Sequence, residues 1–439
     1  MRDAAWVAEA AGGELVAGDP TAPGPRRAVV DSRGVEPGDL FVGLHGANAD
    51  GSRFAADALA AGAWGALVGP ARAGELAESG GGAPVIAAQN TLTALAALAR
   101  AWRHELGCRV VGVTGSTGKT STKDILAALL APHLRTHRNR ENWNTEIGLP
   151  LTVLEAEPGT DVLVLEMAMR GEGQIAELAA IAEPDVGLIV NVGPVHLELL
   201  GTIERVAAAK AELIRDLPAH AVAVVPAGEA LLEEHLRDDI ETITFGPDGD
   251  VRLESFADGR AVILARGERV ELELPFDEDY NLANTVAAVA AASALGVTPS
   301  GRLDVAFSAL RGEIVELDGG VTVVNDCYNA NPMSMRAALE HLAASSAERR
   351  IAVLGGMAEL GESGPRFHHE IGHLADALGI DVLITVGELA LPYADAFGGE
   401  LHQVGDAEEA GALLEEIALP GDRVLVKGSR SVGLERVLA

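Results

Sequence analysis

The chain has 439 residues, with 33 lysines and arginines against 65 aspartates and glutamates, which gives a formal net charge of −32. This length exceeds one ordinary hydrophobic core, so we expect several domains, and the 48% hydrophobic content is typical of a globular protein. The acid excess argues against nucleic acid as a partner, and no apolar run reaches the roughly 20 residues that span a bilayer, so we expect a cytoplasmic protein without membrane insertion.

Residues 1–88 contain short β-like segments separated by Gly, Pro and Asp turns, a pattern typical of a small α/β domain. Apolar residues then recur with helical spacing from Thr91 to Leu106, and an apolar strand is predicted at Arg109–Val113. We place the first domain boundary before this helix. The first domain therefore spans residues 1–88, and the second begins at residue 89.

Between residues 110 and 225, predicted strands alternate with predicted helices, and the strands are rich in Val, Ile and Leu. This alternation is typical of a doubly wound parallel sheet with helices on both faces. A β-rich stretch follows at 242–274, and then an alanine-rich helix at 281–295. The alternation resumes after Gly312, which predicts a Rossmann-like third domain at 312–439. The predicted fold class is α/β in three domains, the second at 89–311.

A candidate phosphate-binding loop, Thr114–Ser121, reads TGSTGKTS and lies between a predicted strand and a predicted helix. Its glycines let backbone N–H groups turn toward a phosphate, and the helix N-terminus adds positive potential. Lys119 can reach the outer phosphates, and Thr120 offers a hydroxyl to Mg²⁺. The strict motif has glycine where this chain has Val113, so this loop is a variant form. A turn without a ligand is the alternative.

Lysine is rare in this chain. Of the 33 basic residues, four are lysine, namely Lys119, Lys123, Lys210 and Lys427. Since arginine serves wherever only positive charge is needed, a retained lysine indicates chemistry that a guanidinium cannot perform, with chance as the alternative. We assign no role to Lys123 from the sequence.

Three further residues are candidates for the site, and Glu166 is a candidate metal ligand. Glu166 ends the apolar strand 161–166, on the edge where parallel sheets bind ligands. His196 follows the strand 186–190, and Lys210 lies in an alanine-rich helical segment. Each has a simpler alternative, which is turn capping for Glu166, a structural role for His196 and a solvated surface position for Lys210.

Two polar clusters are candidate nucleotide or substrate contacts. Asn281 and Asn284 lie at i and i+3 on one face of the alanine-rich helix, which suits contacts to a base or ribose, although Asn281 could instead cap the helix. The segment Asn325–Pro332 places several polar side chains after a predicted strand of the third domain, with an ordinary turn as the alternative.

These motifs resemble the Mur ligase superfamily, the ATP-dependent amide-forming enzymes of peptidoglycan assembly. Asp31-Ser32-Arg33 is similar to its uridine-nucleotide element, and the segment ENWNTEIG at 141–148 to its substrate-nucleotide loop. The run NDCYNANPMSM at 325–335 resembles the branch that adds D-alanyl-D-alanine to a UDP-linked tripeptide. The closing VKGSRS at 426–431 matches the superfamily's C-terminal motif.

The resemblance implies an enzyme that uses ATP and two Mg²⁺ ions. We expect a monomer, although the sequence does not reveal the oligomeric state. Its substrates would be ATP, UDP-N-acetylmuramoyl-tripeptide and D-alanyl-D-alanine. ATP would phosphorylate the tripeptide carboxylate, and the dipeptide amine would attack the acyl phosphate. Closure of the third domain, with Gly312 as a pivot, would bring the substrates together. The sequence leaves open whether the tripeptide ends in diaminopimelate or lysine.

The resemblance also implies roles for individual residues. The implied ATP contacts are Thr114, Gly115, Ser116, Thr117, Gly118, Lys119, Thr120, Ser121, Asn281, Asn284, Arg311, Asp326, Tyr328 and Asn329. The implied metal ligands are Thr120, Glu166, His196 and Lys210, the last after carbamylation by CO₂, and the catalytic set is Lys119, Glu166, His196 and Lys210. The implied substrate contacts are Ser32, Arg33, Asn142, Asn144, Thr145, Asn331, Lys427, Ser429 and Arg430.

Three other functions stay open at this point. The first is a sister amide ligase, either a tripeptide-forming enzyme or one similar to folylpolyglutamate synthase. The second is a phosphate-loop switch or motor, although we find no arginine finger or polymer-binding basic patch. The third is a non-catalytic nucleotide-binding protein, which would have little use for the set of Lys119, Glu166, His196 and Lys210.

Overall fold

The described part of the chain forms three separate β-sheets, which follow one another in sequence order. The structure, a computed structural model, describes residues 3–46, 50–79, 81–140, 142–317 and 319–438. Glu141, which begins the predicted substrate-nucleotide loop, lies outside these residues. The sheets use residues 14–87, 109–302 and 313–427, so our proposed domain limits fall between them.

The first sheet has the strand order β1-β5-β4-β3-β2. Its strands are β1 (Glu14–Ala17), β2 (Ala28–Val29), β3 (Leu40–Val42), β4 (Gly65–Val68) and β5 (Val85–Ala87). The helices of this part are α1 (Ala4–Ala10), α2 (Ala55–Ala60), α3 (Pro70–Glu78) and α4 (Thr91–Leu106). All neighbouring strands are parallel except β1, which pairs antiparallel with β5. Every residue of β3 is buried because the sheet is covered on both faces.

Helix α4 has the predicted bounds and connects the first sheet to the second. The Asn90 side chain accepts the N–H groups of Leu92 and Thr93, and Gly107 ends the helix with φ of +60°. Its buried face packs against helices that cover the second sheet, with the Trp102 indole donating to the Ala156 carbonyl at 3.0 Å.

The second sheet has the order β15-β14-β13-β12-β11-β10-β9-β6-β8-β7. Its strands are β6 (Arg109–Thr114), β7 (Thr136–Arg138), β8 (Val162–Glu166), β9 (Val186–Ile189), β10 (Val222–Pro226), β11 (Glu241–Phe245), β12 (Val251–Ala257), β13 (Arg260–Ala265), β14 (Glu268–Glu273) and β15 (Gly301–Arg302). Its helices are α5 (Lys119–Leu130), α6 (Gly148–Glu155), α7 (Gln174–Ala182), α8 (Leu197–Leu200), α9 (Ile203–Arg215), α10 (Ala230–Glu233) and α11 (Asp279–Ala294).

The predicted parallel sheet is confirmed from β7 to β12, but two antiparallel hairpins extend it. Asp258-Gly259 and Arg266-Gly267 form the two-residue turns, and all four residues have positive φ. Such turns match the twist of paired antiparallel strands. They explain the β-rich stretch that the sequence indicated.

The third sheet has the order β16-β17-β21-β18-β19-β20. Its strands are β16 (Glu313–Leu317), β17 (Val321–Asn325), β18 (Arg349–Gly355), β19 (Val382–Val386), β20 (Glu400–Val404) and β21 (Asp422–Lys427). Its helices are α12 (Pro332–Ala344), α13 (Gly364–Ala377), α14 (Leu391–Ala394) and α15 (Ala407–Ile417). All pairs are parallel except β16 with β17, and apolar clusters cover both faces. The doubly wound prediction is confirmed.

Among the residues described, no helix combines the length and the apolar character that crossing a membrane requires.

Candidate active site

A large cleft lies between the second and third domains, and its volume is about 1240 Å³. Residues that follow the carboxyl ends of β6, β8, β9, β17 and β21 line it, as expected for ligand sites of parallel sheets. The predicted residues that the cleft brings together are Ser116, Thr117, Gly118, Lys119, Thr120, Ser121, Asn142, Asn144, Thr145, Glu166, His196, Lys210, Asn284, Arg311, Asp326, Tyr328, Asn329, Asn331, Lys427, Ser429 and Arg430.

Some predicted residues do not line this cleft. They are Thr114, Gly115, Asn281, Ser32 and Arg33. Thr114 is the last residue of β6, and Gly115 follows it at the start of the phosphate loop. Ser32 and Arg33 lie in a short turn of the first domain, where Arg33 Nη2 pairs with Asp31 Oδ2 at 2.7 Å. They lie apart from the residues that line the cleft.

The phosphate loop is braced by the loop that follows β9. Asn191 Oδ1 accepts hydrogen bonds from the N–H groups of Ser116 and Thr117 at 3.1 and 3.0 Å. Ser116 Oγ donates to the Gly193 carbonyl at 3.0 Å. Lys119 Nζ donates to the Gly115 carbonyl at 2.9 Å, back across the loop. The first-turn N–H groups of α5 have no partners within the helix and can bind phosphate oxygens.

Glu166 is 1% exposed and is held by two asparagines. Asn139 accepts the Glu166 N–H at 2.9 Å and donates to its carbonyl at 3.0 Å. Asn144 Nδ2 donates to Glu166 Oε1 at 2.7 Å. The other oxygen, Oε2, is buried with no hydrogen-bond partner among the described residues. Because a buried carboxylate oxygen is costly to leave unpaired, this atom fits a bound cation, and turn capping does not explain it.

Lys210 is 2% exposed, so the alternative of a solvated surface lysine is wrong. It lies on α9 and faces the same cleft as Lys119 and Glu166. Its side-chain nitrogen makes no hydrogen bond or ion pair with any residue that the structure describes. Burial, and then the charge of Lys119, lower the pKa of Lys210 well below its usual value. The lowered pKa favours the neutral amine, which is the form of lysine that can act as a nucleophile.

His196 contacts the third domain. Its Nδ1 donates to Glu359 Oε2 at 2.5 Å, and Arg170 Nε lies 3.3 Å from Glu359 Oε1. The hydrogen bond from His196 lowers the pKa of the Glu359 carboxyl, burial opposes this shift, and the charge of Arg170 adds to the lowering. His196 therefore lies in the cleft with one ring nitrogen already engaged.

The nucleotide candidates on α11 differ in position. The helix begins at Asp279 after Glu278, so Asn281 lies in its first turn and does not cap it. Asn284 packs against the phosphate loop, since a Cβ on Gly118 would lie 2.4 Å from Asn284 Oδ1. Asn284 Nδ2 donates to Asn281 Oδ1 at 3.4 Å. Asn281 thus supports Asn284, which lines the cleft.

The third domain contributes an organised loop after β17. Lys427 Nζ donates to Asp326 Oδ2 at 2.5 Å and to the Asn329 carbonyl at 3.2 Å. Asn331 caps α12, with its side chain accepting the Ser334 N–H and the Ser334 hydroxyl accepting the Asn331 N–H. Among the predicted substrate contacts, Lys427 is therefore the anchor of this loop.

Arg311 and the C-terminal motif complete the wall of the cleft. The Arg311 guanidinium stacks over the Tyr328 ring at 4.1 Å from the centroid. Ser429 Oγ accepts the Ala358 N–H at 2.8 Å, and Arg430 is exposed on the cleft. Burial lowers the pKa of the Lys119 ammonium, Glu166 raises it, and Arg311 lowers it. Cations and N–H groups from two domains therefore face one volume that suits a polyphosphate.

Sequence reasoning missed Asn139, Asn191 and Glu359. Each is a polar residue shortly after a strand, namely β7, β9 and β18. The rule that identified Glu166, a polar side chain at the carboxyl end of a parallel strand, could have found all three. Their hydrogen-bond partners lie far away in sequence, so the rule would have identified these residues as candidates but would not have predicted what they bind.

Lys123 has a structural explanation. Its ammonium is buried, donates to the Asn139 carbonyl at 2.7 Å and lies 3.2 Å from Asp124 Oδ1. Burial lowers the pKa of Lys123, and the charge of Asp124 opposes this shift. Since Asn139 holds Glu166, Lys123 connects the phosphate-loop helix with the metal candidate.

We expect Lys123→Met to lower the free energy of unfolding by about 3–5 kcal/mol, the range for removing one partner of a buried ion pair. Urea unfolding, followed by circular dichroism, measures it. Arg366→Met is the control, because Arg366 makes a surface pair with Glu370 at 3.7 Å, and such pairs contribute about 1 kcal/mol or less. Equal stability of the two variants would contradict this role.

Comparisons with known proteins agree with this geometry. The family models for the Mur ligase catalytic domain, middle domain, and glutamate ligase domain match residues 29–103, 113–292 and 310–430. A UDP-N-acetylmuramoyl-tripeptide–D-alanyl-D-alanine ligase of Synechocystis sp. is 39% identical over 93% of this chain and 90% of that protein.

Two solved structures are also similar over nearly their whole length. MurF from Acinetobacter baumannii superposes with a TM-score of 0.85 at 27% identity, covering 98% of this chain and 96% of that chain. MurF from Thermotoga maritima, in complex with ADP, gives a TM-score of 0.79 at 32% identity and covers 94% and 96%. This chain therefore belongs to the Mur ligase family and, within it, to the MurF-type ligases.

Proposed function

We propose that this chain is an ATP-dependent ligase that joins D-alanyl-D-alanine to UDP-N-acetylmuramoyl-tripeptide, with ADP and phosphate as the other products. The observation that carries this function is the shared cleft. The phosphate loop, the buried Glu166 and Lys210, and the loop after β17 of the third domain all face it. Activation of a carboxylate needs these parts together.

The reaction follows from the chemistry of carboxylates. A carboxylate is a poor electrophile at neutral pH, so the terminal phosphoryl group of ATP is transferred to it, which gives an acyl phosphate and ADP. The amine of the dipeptide then attacks the carbonyl carbon, and phosphate leaves from the tetrahedral intermediate. Lys119 and the N–H groups of the phosphate loop bind and orient the phosphates, so catalysis is largely positioning and electrostatic stabilisation.

The residues fit two Mg²⁺ ions. Thr120 and Glu166 would hold one ion, and Glu166, His196 and Lys210 the second. The unpaired buried oxygen of Glu166 supports this proposal. When bound, Mg²⁺ supplies charge neutralisation between two anionic reactants. The protein fixes the ligand positions through Asn139 and Asn144.

We propose that Lys210 acts as a carbamate. Its neutral amine would attack CO₂, forming an N–C bond and releasing a proton, which leaves an anionic carbamate. The amine is buried, unpaired and close enough to Lys119 for the two positive charges to repel. Carbamylation replaces that repulsion with attraction and gives an oxygen ligand that suits Mg²⁺. Arginine cannot react in this way, because its guanidinium stays protonated.

The other proposed contacts lie in three domains. Ser32, Arg33, Asn142, Asn144 and Thr145 would hold the nucleotide sugar, and Asn331, Lys427, Ser429 and Arg430 would contact or organise the acceptor side. Closure of the third domain would bend the chain near Gly312. Leu310 and Gly312 support this pivot, because their φ values of +61° and +72° mark an unusual backbone between β15 and β16.

A coupled assay tests the function. Phosphate release should require UDP-linked tripeptide, ATP and D-alanyl-D-alanine together, and mass spectrometry should find the pentapeptide product. A panel with single amino acids in place of the dipeptide tests the sister-ligase alternative, which the similarity to MurF-type ligases does not favour. Phosphate release with an amino acid and none with the dipeptide would overturn the proposal.

We further propose that the enzyme acts as a monomer in the cytoplasm, where ATP and UDP-linked precursors are present. Analytical ultracentrifugation should give a mass near 45.3 kDa. A stable dimer at micromolar concentration would contradict this expectation.

A further inference from the structure

Glu359 connects the third domain to a candidate metal ligand of the second domain. It follows β18, and its carboxylate accepts a hydrogen bond from His196 Nδ1 at 2.5 Å. Its backbone carbonyl also accepts the Glu198 N–H at 3.1 Å. The side chains of His196 and Glu359 are 20% and 33% exposed, so the pair is partly shielded from water. The contact joins residues that are 163 positions apart.

The backbone on both sides of this contact is unusual. His196 has φ of +54° and Glu359 has φ of +63°. This left-handed conformation costs about 1–2 kcal/mol for a residue with a side chain, and glutamate adopts it less readily than histidine does. The two residues with left-handed backbone are therefore also the two whose side chains form the hydrogen bond between the domains.

Neighbouring residues hold the two segments tightly together. Gly361, which has φ of +56°, faces Glu198, and a Cβ on Gly361 would lie 3.1 Å from the Glu198 Cα. Met333 of the third domain lies against Gly193 in the same loop of the second domain, where a Cβ would lie 1.9 Å from Met333 Sδ. The third domain therefore contacts the loop that carries His196 at two separate points.

The hydrogen bond also determines which ring nitrogen of His196 can bind a metal. A carboxylate oxygen only accepts hydrogen bonds, so Nδ1 carries the proton in this contact. Nε2 of the neutral ring is then left with a lone pair, the form that binds a cation. Histidine ligands commonly donate their other N–H to a carboxylate, which fixes the orientation of the ring.

We propose that Glu359 is a positioning residue that makes His196 competent to bind the second Mg²⁺, and that it acts only when the third domain is seated on the second. This inference rests on the proposed function and deepens it. Metal binding at His196 is thereby coupled to closure. Both Mg²⁺ ions are therefore bound only once the third domain is seated on the second. An ordinary interdomain ion pair would stabilise closure without affecting metal affinity.

The test is the binding of Mn²⁺, counted by electron paramagnetic resonance of the free ion, with the full chain and a non-hydrolysable ATP analogue. We expect two classes of Mn²⁺ site in the wild type. Glu359→Gln loses the charge and the fixed acceptor. It should lower the Mn²⁺ affinity of the weaker site by about 10–100-fold, which is the range for loss of a supporting carboxylate. The Mn²⁺ affinity of the tighter site should stay unchanged. Glu359→Ala should show at least the same loss.

Glu362→Gln is the matched control, because Glu362 is an exposed carboxylate in the short turn after Glu359, and it should bind Mn²⁺ as the wild type does. In the His196→Ala background, Glu359→Gln should have no further effect on the weaker site, since Glu359 acts through His196. Unchanged Mn²⁺ affinity in Glu359→Gln, or an additive loss in the double variant, would overturn the proposal. Product formation by the wild type, measured separately, distinguishes this failure from failure of the proposed function.

Discussion

Replacing Lys210 with alanine lowers the rate of ligation by about 10²–10³-fold or more, the range for removing one electrostatic stabiliser of a transition state. The reason is that the variant loses the anionic oxygen that the carbamate would contribute beside Lys119. Steady-state phosphate release measures the loss. Because the missing group is a carboxylate-like anion, formate, acetate or propionate should restore part of the activity, whereas bicarbonate should not.

Two further variants separate this chemistry from packing. Lys210→Met fills nearly the same volume, so a lysine needed only for packing would leave Lys210→Met active. Lys210→Arg keeps the charge but cannot be carbamylated, so it should be as inactive as the alanine variant. Wild-type protein incubated with ¹³C-bicarbonate should show a carbamate resonance that all three variants lack. Full activity of Lys210→Ala without additives would exclude the carbamate.

The sequence predicted the arrangement of strands and helices well where local signals are strong. Helix α4 has a capping asparagine, helical spacing of apolar residues and a terminal glycine, and its predicted bounds are those observed. The antiparallel extension of the second sheet was indicated only as β-rich, because alternating strands define pairing partners poorly without their turns. Helix α6 was missed, since it contains Pro150 and its residues are almost all buried, which removes the helical periodicity.

The candidate site was predicted as a set of residues but not as a network. The phosphate loop and Glu166 follow from local rules, namely a glycine-rich turn before a helix and a carboxylate at a strand end. The hydrogen bond between His196 and Glu359 depends on how two domains meet, and no local pattern encodes that contact. Lys123 shows the same limit, because its partners are set by the packing of α5 beneath the substrate-nucleotide loop.

Lys210 and Lys427 face the cleft from opposite domains and have opposite electrostatic surroundings. Lys210 has no counter-charge among the described residues, whereas Lys427 lies 2.5 Å from Asp326 Oδ2. An unpaired buried amine favours the neutral, reactive form, whereas Lys427 Nζ is held by hydrogen bonds to Asp326 and Asn329. We therefore infer that lysine serves as a nucleophile at position 210 and as a compact hydrogen-bond donor to several oxygens at position 427.

Replacing Lys427 with methionine tests the second of these roles. Methionine keeps the apolar stem but removes the donor to Asp326 and to the Asn329 carbonyl, so the loop after β17 loses its anchor. Loss of a charge-assisted hydrogen bond costs about 1.5–3 kcal/mol, which corresponds to a decrease of about 10–100-fold in kcat/KM for ATP. We expect kcat/KM to fall more for ATP and D-alanyl-D-alanine than for the nucleotide sugar, because the proposed contacts of the nucleotide sugar lie in other domains.

Arg436→Met is the control for this variant, because Arg436 pairs with Glu408 on the surface of the same domain and should leave kcat/KM unchanged. Lys427→Arg should recover only part of the activity, since a planar guanidinium cannot place its donors as the compact ammonium does. If Lys427→Met instead lowered kcat/KM equally for all three substrates, with the same loss in Lys427→Arg, a general loss of folded protein would explain the result. Thermal unfolding of both variants, followed by circular dichroism, separates these two outcomes. Loss of the hydrogen bonds of Lys427 should disorder the loop after β17 while the sheet beneath it stays folded, so the unfolding transition of the domain should remain.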